Sequence, residues 1–265
     1  LTSGANNIAM GHNAMLVHTT GSNNTVIGDN AMVDTNVHAT VLGSSNNTVV
    51  GSAAMGGEWA GTAAISNCVA IGHQALDGAL EGSAVGGTVA IGAAALGSMT
   101  EGSGNTAIGY SAAAGDTTGN NNVAIGYQAL LENVSGANNI AIGYGAMDDS
   151  GNDPGSVDNI FIGKDSGGGT WAGVSNDYNV AIGTGTMDAA MSTAHSNIAI
   201  GYVALSGVLE GNDNIAIGRA AGFLIEDSTD NVLIGNFPGD AIVDGAAGTV
   251  AIGKNALGAL AGGAG

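Results

Sequence analysis

Positive charge is almost missing from this chain: 3 Lys and Arg stand against 22 Asp and Glu, a formal net charge of −19. Such a surface repels phosphate backbones and anionic bilayers, so neither nucleic acid nor a membrane surface is expected as a partner. Cys68 is the single cysteine, which excludes an intramolecular disulfide. Only 2 prolines occur, so a polyproline linker is not expected. Aromatic residues make up 4% of the chain, and a core must therefore be built from small aliphatic side chains. No apolar run is long enough to span a bilayer as a helix. Nor is the chain polar enough for disorder, since 45% of it is hydrophobic and only 9% charged. It opens on Leu1 with neither Met nor a secretory leader, which reads as a processed or excised piece.

What the chain has in excess is glycine, 48 residues, and repetition. Aligning on a glycine that follows a short apolar run gives 15 candidate rungs, from Gly11 to Gly253, most of them 17 to 21 residues apart. Gly43 and Gly51 break the spacing, and one of the two reads as a half-turn. Three positions before the glycine every rung carries Val, Ile or Thr, and one position before it Ile, Leu, Val or Met. Residues two apart on an extended strand share a face, and four-residue apolar runs are too short for helices. Each rung is thus expected to be a short strand, a glycine corner, a second segment around Ala-Leu or Ala-Met, and a loop.

A period this short leaves no room for a helix in the repeat. The expected fold is all-β: a parallel β-solenoid (a β-roll or β-helix) of about 14–15 rungs, forming one repeat domain over residues 1–265. At about 4.8 Å per step it would form a rod of roughly 65–70 Å. Rung-like sequence runs from Asn6 to Leu257, so neither end is expected to carry a cap. Two positions before the glycine stands Ala in 10 rungs, and Val, Phe or Leu in the other 5. A strand apolar on both faces is buried on both. The Ala column is expected to press against further copies of the chain; the alternative is that the second segment of each coil folds over it.

Other columns carry candidate sites. Asn stands four before the glycine in 11 rungs, among them Asn122, Asn139, Asn159, Asn179, Asn197 and Asn214, and reads as a structural amide ladder. Cys68 occupies the same column, with His73 beyond the corner; a ladder substitution is the simpler reading than a nucleophile. The position after the glycine holds Tyr110, Tyr127, Tyr144, Tyr202, Lys164, Arg219 and Lys254, besides His12 and His73. It reads either as a solvent-facing row with stacked tyrosines or as a recognition stripe. Asp148, Asp149 and Asp153 lie in an oxygen-rich loop that could take Ca²⁺, though without EF-hand spacing; no other cofactor is expected. Walker, dinucleotide, Gly-x-Ser-x-Gly and His-Glu-x-x-His signatures are missing, so an enzyme is not expected. A continuous Thr column suited to ice is also missing.

"NNVAIGYQAL", "NNIAIGYGAM", "SNIAIGYVAL" and "GTVAIGKNAL" resemble the head repeats of trimeric autotransporter adhesins, and equally the Ile-Gly repeats of marine bacteriophage tail-fibre and structural proteins. The resemblance implies a left-handed β-roll, three chains about one axis, and attachment at a cell or virion surface. The rungs here are longer than the compact adhesin repeat and lack its second Ala-x-Gly half, which favours a fibre segment or a filament subunit. The sequence therefore leads to the expectation of an extracellular or virion fibre protein, homo-oligomeric, that meets a glycan or protein receptor, with end-to-end joining into a filament as the alternative. A tailspike-type glycosidase is the alternative from another class, and it requires two carboxylates converging on one lateral face.

Overall fold

The computed structural model describes residues 4–16, 20–33, 43–57, 64–80, 85–148, 155–171, 175–239, 242 and 245–258. Contacts divide the chain into two units, Leu1–Ala137 and Asn138–Gly265. Each is a stack of short parallel strands, and no helix occurs among the described residues. The first unit holds β1 (Ile8–Met10), β2 (Thr25–Ile27), β3 (Thr48–Val50), β4 (Val69–Ile71), β5 (Val89–Ile91), β6 (Thr106–Ile108) and β7 (Val123–Ile125). The second holds β8 (Ile140–Ile142), β9 (Ile160–Ile162), β10 (Val180–Ile182), β11 (Ile198–Ile200), β12 (Ile215–Ile217), β13 (Val232–Ile234) and β14 (Val250–Ile252). Within each unit every strand pairs in parallel with the next, in one register: Ala70 faces Ala90, and Ala181 faces Ala199. This is the β-solenoid expected from the repeat.

Among the described residues the rungs form 14 strands. β2 pairs directly with β3, so the turn following Gly28 is the one ending at Gly51. Gly43 lies in the intervening loop, and Thr40 falls outside the described residues.

From β2 to β14 the middle residue of each strand points into the coil rather than toward another chain; Ala9 of β1 is exposed. Val26, Val49, Ala70, Ala90, Phe161, Ala181 and Leu233 are all 0% exposed. What covers them is the second segment of the same coil: Ala75–Leu76, Ala95–Leu96, Ala129–Leu130 and Ala204–Leu205 are buried opposite. The expectation of an inter-chain Ala stripe is therefore corrected. Alternation fixes which residues share a face but not which face is inward. The narrow coil decides it, because a Leu or Met reaching across leaves room only for Ala or, beside Met32 and Met55, for Val26 and Val49. Where the strand supplies a larger side chain the far wall gives way. Phe161 packs over Gly167, where an added Cβ would lie 2.5 Å from the ring, and Leu233 similarly needs Gly239 and Gly222.

The Leu and Met that fill the core adopt a backbone their side chains disfavour. Leu76, Leu130, Met147 and Leu205 have φ of 53°, 55°, 53° and 49°. A left-handed residue other than Gly costs about 1–2 kcal/mol, whereas burying a Leu or Met contributes about 1.5–3 kcal/mol. Burial wins narrowly, and the amide it turns also joins the ladder: Leu76 N–H donates to the Ala95 carbonyl at 2.9 Å.

With Ala inward, the first and third residues of each strand face outward. They form a double row of Val, Ile and Thr, with Met10 in β1, along each unit, half-buried by their neighbours in most rungs. Ile108, Ile182 and Ile217 remain 36%, 38% and 37% exposed.

Candidate functional site

Three longitudinal rows run along the coils, and each follows from one position in the repeat. The innermost is the amide ladder. In the second unit Asn139, Asn159, Asn179, Asn197, Asn214 and Asn231 are buried in unbroken succession. Asn179 Oδ1 accepts the Asn197 N–H at 3.0 Å and its Nδ2 at 3.2 Å, while Asn179 Nδ2 donates to Asn159 Oδ1 and to the Ala194 carbonyl. Every side-chain polar atom of Asn179 is thereby paired without water. In the first unit the row runs Asn7, Asn24, Asn47 and later Asn105, Asn122. Cys68 and Thr88 interrupt it, and the Thr88 hydroxyl is buried with no partner. The Cys68 thiol donates to the Ser66 carbonyl at 3.6 Å, and burial pushes its pKa up. Such a thiol is a poor nucleophile, and His73 across the corner is exposed.

The first unit also holds Asp116, the one buried carboxylate among the described residues. It accepts from the Gly119 N–H at 2.8 Å and from Asn122 Nδ2 at 3.1 Å, and Asn133 bonds it as well. Burial outweighs these donors and raises its pKa to about 6. A carboxyl raised on folding favours the folded state fully below its unfolded pKa near 3.8 and loses that contribution as pH rises through about 6. Denaturation of Asp116→Asn should therefore show a stability change between those pH values smaller than that of the parent. The difference should be on the order of 2–3 kcal/mol; equal slopes would contradict the assignment.

The second row follows the corner glycine and faces solvent. Tyr110, Tyr127, Tyr144 and Tyr202 are 53%, 43%, 53% and 55% exposed. Tyr110 and Tyr127 stack with ring centroids 5.3 Å apart at 14°, so they offer edges and hydroxyls more than faces. Lys164 lies 5.8 Å above the Tyr144 ring and pairs with Asp165 at 2.8 Å. Arg219 lies 5.0 Å from the Phe237 ring, and neither Arg219 nor Lys254 pairs with a carboxylate among the described residues.

The acidic loop is only partly in view: Asp149 and Asp153 lie outside the described residues. Asp148 lies instead with two residues from later coils. A Cβ built on Gly168 would be 3.1 Å from Asp188 Oδ1 and 3.2 Å from Asp148 Oδ1, and one on Gly145 would be 3.0 Å from Asp165 Oδ1. Burial, and then the charge of Asp165, raise the Asp188 carboxyl. No group of three or more His, Cys, Asp or Glu among the described residues is arranged to hold a metal ion.

Sequence reading missed a third row. The residue five before the corner glycine has positive φ in coil after coil, including Asn23 at 60°, Asn46 at 61°, Asn67 at 63° and Asp158 at 59°. In the first unit these side chains form a second, exposed amide ladder, Asn6 to Asn23 to Asn46 to Asn67. The signal was the doubled Asn in "ANNI" and "SNNT", because Asn tolerates this conformation better than most residues. Tyr178 stands in the same row at 62° and is 59% exposed. Compared with models of known protein families and with curated protein sequences, the chain matches none.

Proposed function

We propose that this protein is a structural, non-catalytic subunit of an extracellular or virion fibre, assembled from copies of itself and presenting its corner row to a receptor. The observation that carries the reading is the outward double row of Val, Ile and Thr. Two columns wide and seven strands long, it covers roughly 300–400 Å² on each unit, the size at which apolar patches usually mark a contact. Burying one such stripe contributes on the order of 8 kcal/mol, about what association alone costs. Each partner buries such a surface, so about twice that area leaves water and a surplus remains. A second copy offers the same spacing on every rung, and three copies about an axis is the arrangement favoured by the repeat resemblance. Ile182→Glu with Ile217→Glu should leave the fold intact and reduce the particle to a monomer of 25.4 kDa by sedimentation. An oligomer that survives both charges would count against this face.

A second reading, glycoside hydrolysis, is favoured by one observation. Asp148 and Asp188 flank the same space above Gly168, their oxygens separated by at most about 6 Å, near the range of catalytic carboxylate pairs. It requires release of reducing sugar from a glycan, and loss of that release in Asp188→Asn.

A further inference from the structure

The chain carries 22 carboxylates and three Lys or Arg, so an unpaired cation calls for an explanation. Arg219 and Lys254 are both exposed, both in the corner row of the second unit, and both without a carboxylate partner among the described residues. They stand two coils apart, about 10 Å along the row. Asn236, exposed, occupies the coil between them, and Tyr202 the coil before Arg219. The Arg219 guanidinium is held against the Phe237 ring at 5.0 Å, which limits its freedom while leaving donors available.

We infer that Tyr202, Arg219, Asn236 and Lys254 form a binding row for an acidic glycan whose carboxylates fall on alternate sugars. The charge pattern selects this partner. At −19 overall the protein repels a densely charged polyanion along its whole length. Screening confines that repulsion to about 8 Å at physiological salt, so a lone carboxylate close to Arg219 or Lys254 meets mainly the nearby cation. Two cations about 10 Å apart match anionic groups separated by a neutral unit, which the Asn236 amide can meet through hydrogen bonds. The exposed Tyr202 ring supplies an apolar surface at one end of the row. A sulfated polymer gains nothing further here, because the row offers only two cations and the net charge of −19 repels the additional sulfates.

This inference rests on the receptor-presenting reading given above, and the experiment separates the two. The probe is an oligosaccharide of alternating glucuronate and N-acetylglucosamine, titrated calorimetrically against the intact protein. A chitin oligosaccharide is the neutral comparator and a heparin oligosaccharide the dense one. Binding should be specific to the first probe and weaken with salt. It should fall about tenfold or more in Arg219→Gln and in Lys254→Gln, each of which removes a charge-assisted contact at a solvent-exposed position. Tyr202→Ala should weaken it as well. No binding to this probe, equal binding of the chitin oligosaccharide, tighter binding of heparin, or indifference to both cation variants would each overturn the inference. Sedimentation of the same samples reports on the fibre reading separately, since an oligomer that ignores the probe removes the row and keeps the assembly.

Discussion

Replacing Gly163 with alanine should unfold the second unit's stack or cost it more than about 4 kcal/mol, among the largest losses a single methyl can cause. Gly163 has φ +143°, a region that only glycine populates freely. Its missing side chain is also where the next coil passes: an added Cβ would lie 2.6 Å from the Gly183 carbonyl carbon and nearer still to its oxygen. That carbonyl cannot retreat, because Gly183 N–H donates to Ile162 at 2.8 Å and Gly201 N–H to Ile182 at 2.8 Å. Strain and collision therefore add. Gly248 is the control: its φ is +71° and an added Cβ meets nothing within 4 Å, so Gly248→Ala should cost only about 1–2 kcal/mol. Chemical denaturation followed by circular dichroism compares the two; similar small losses would contradict the stacked-corner geometry.

Asn179→Leu should be nearly as damaging, at about 3–6 kcal/mol, although the two side chains are close in size. The substitution removes four side-chain hydrogen bonds. It also strands the Asn197 N–H and the Ala194 carbonyl, both in the buried row, and each orphaned group costs about 1–3 kcal/mol. Asn105→Leu gives a comparison within the first unit, where Thr88 precedes it and no Asn Oδ1 stands on that side. It should cost less, because fewer amides are linked through it. Equal losses would mean that the ladder is a set of local bonds rather than a linked row.

Much of this architecture was written in the repeat. Val-Ala-Ile-Gly placed the strands residue by residue, since a β-branched residue, a small one, an aliphatic one and a glycine meet different demands at each step. The Asn column was legible for the same reason: one amide has both the acceptor and the donors that a neighbouring coil requires. The orientation of the strand was not. Ala could as well have faced a second chain, and only the complete burial of Ala90 and Leu96 within one chain settles it. Left-handed Leu and Met residues were also beyond reach, because propensity argues against them and only their burial overrides it. The volume exchange between Phe161 and Gly167 was present in the sequence, six residues apart, but became meaningful once both were known to share one coil. Asp188 joins Asp148 across coils, a relation that no loop-by-loop reading of the acidic segment contains.

The measurement closest to the central claim is the mass of the particle in solution, by sedimentation equilibrium at micromolar concentration. The outward Val, Ile and Thr rows predict an integral multiple of 25.4 kDa, three copies being the favoured number, that falls to a single chain in Ile182→Glu with Ile217→Glu. A stable 25.4 kDa monomer of the unaltered chain, with its stripes open to water, would contradict the account.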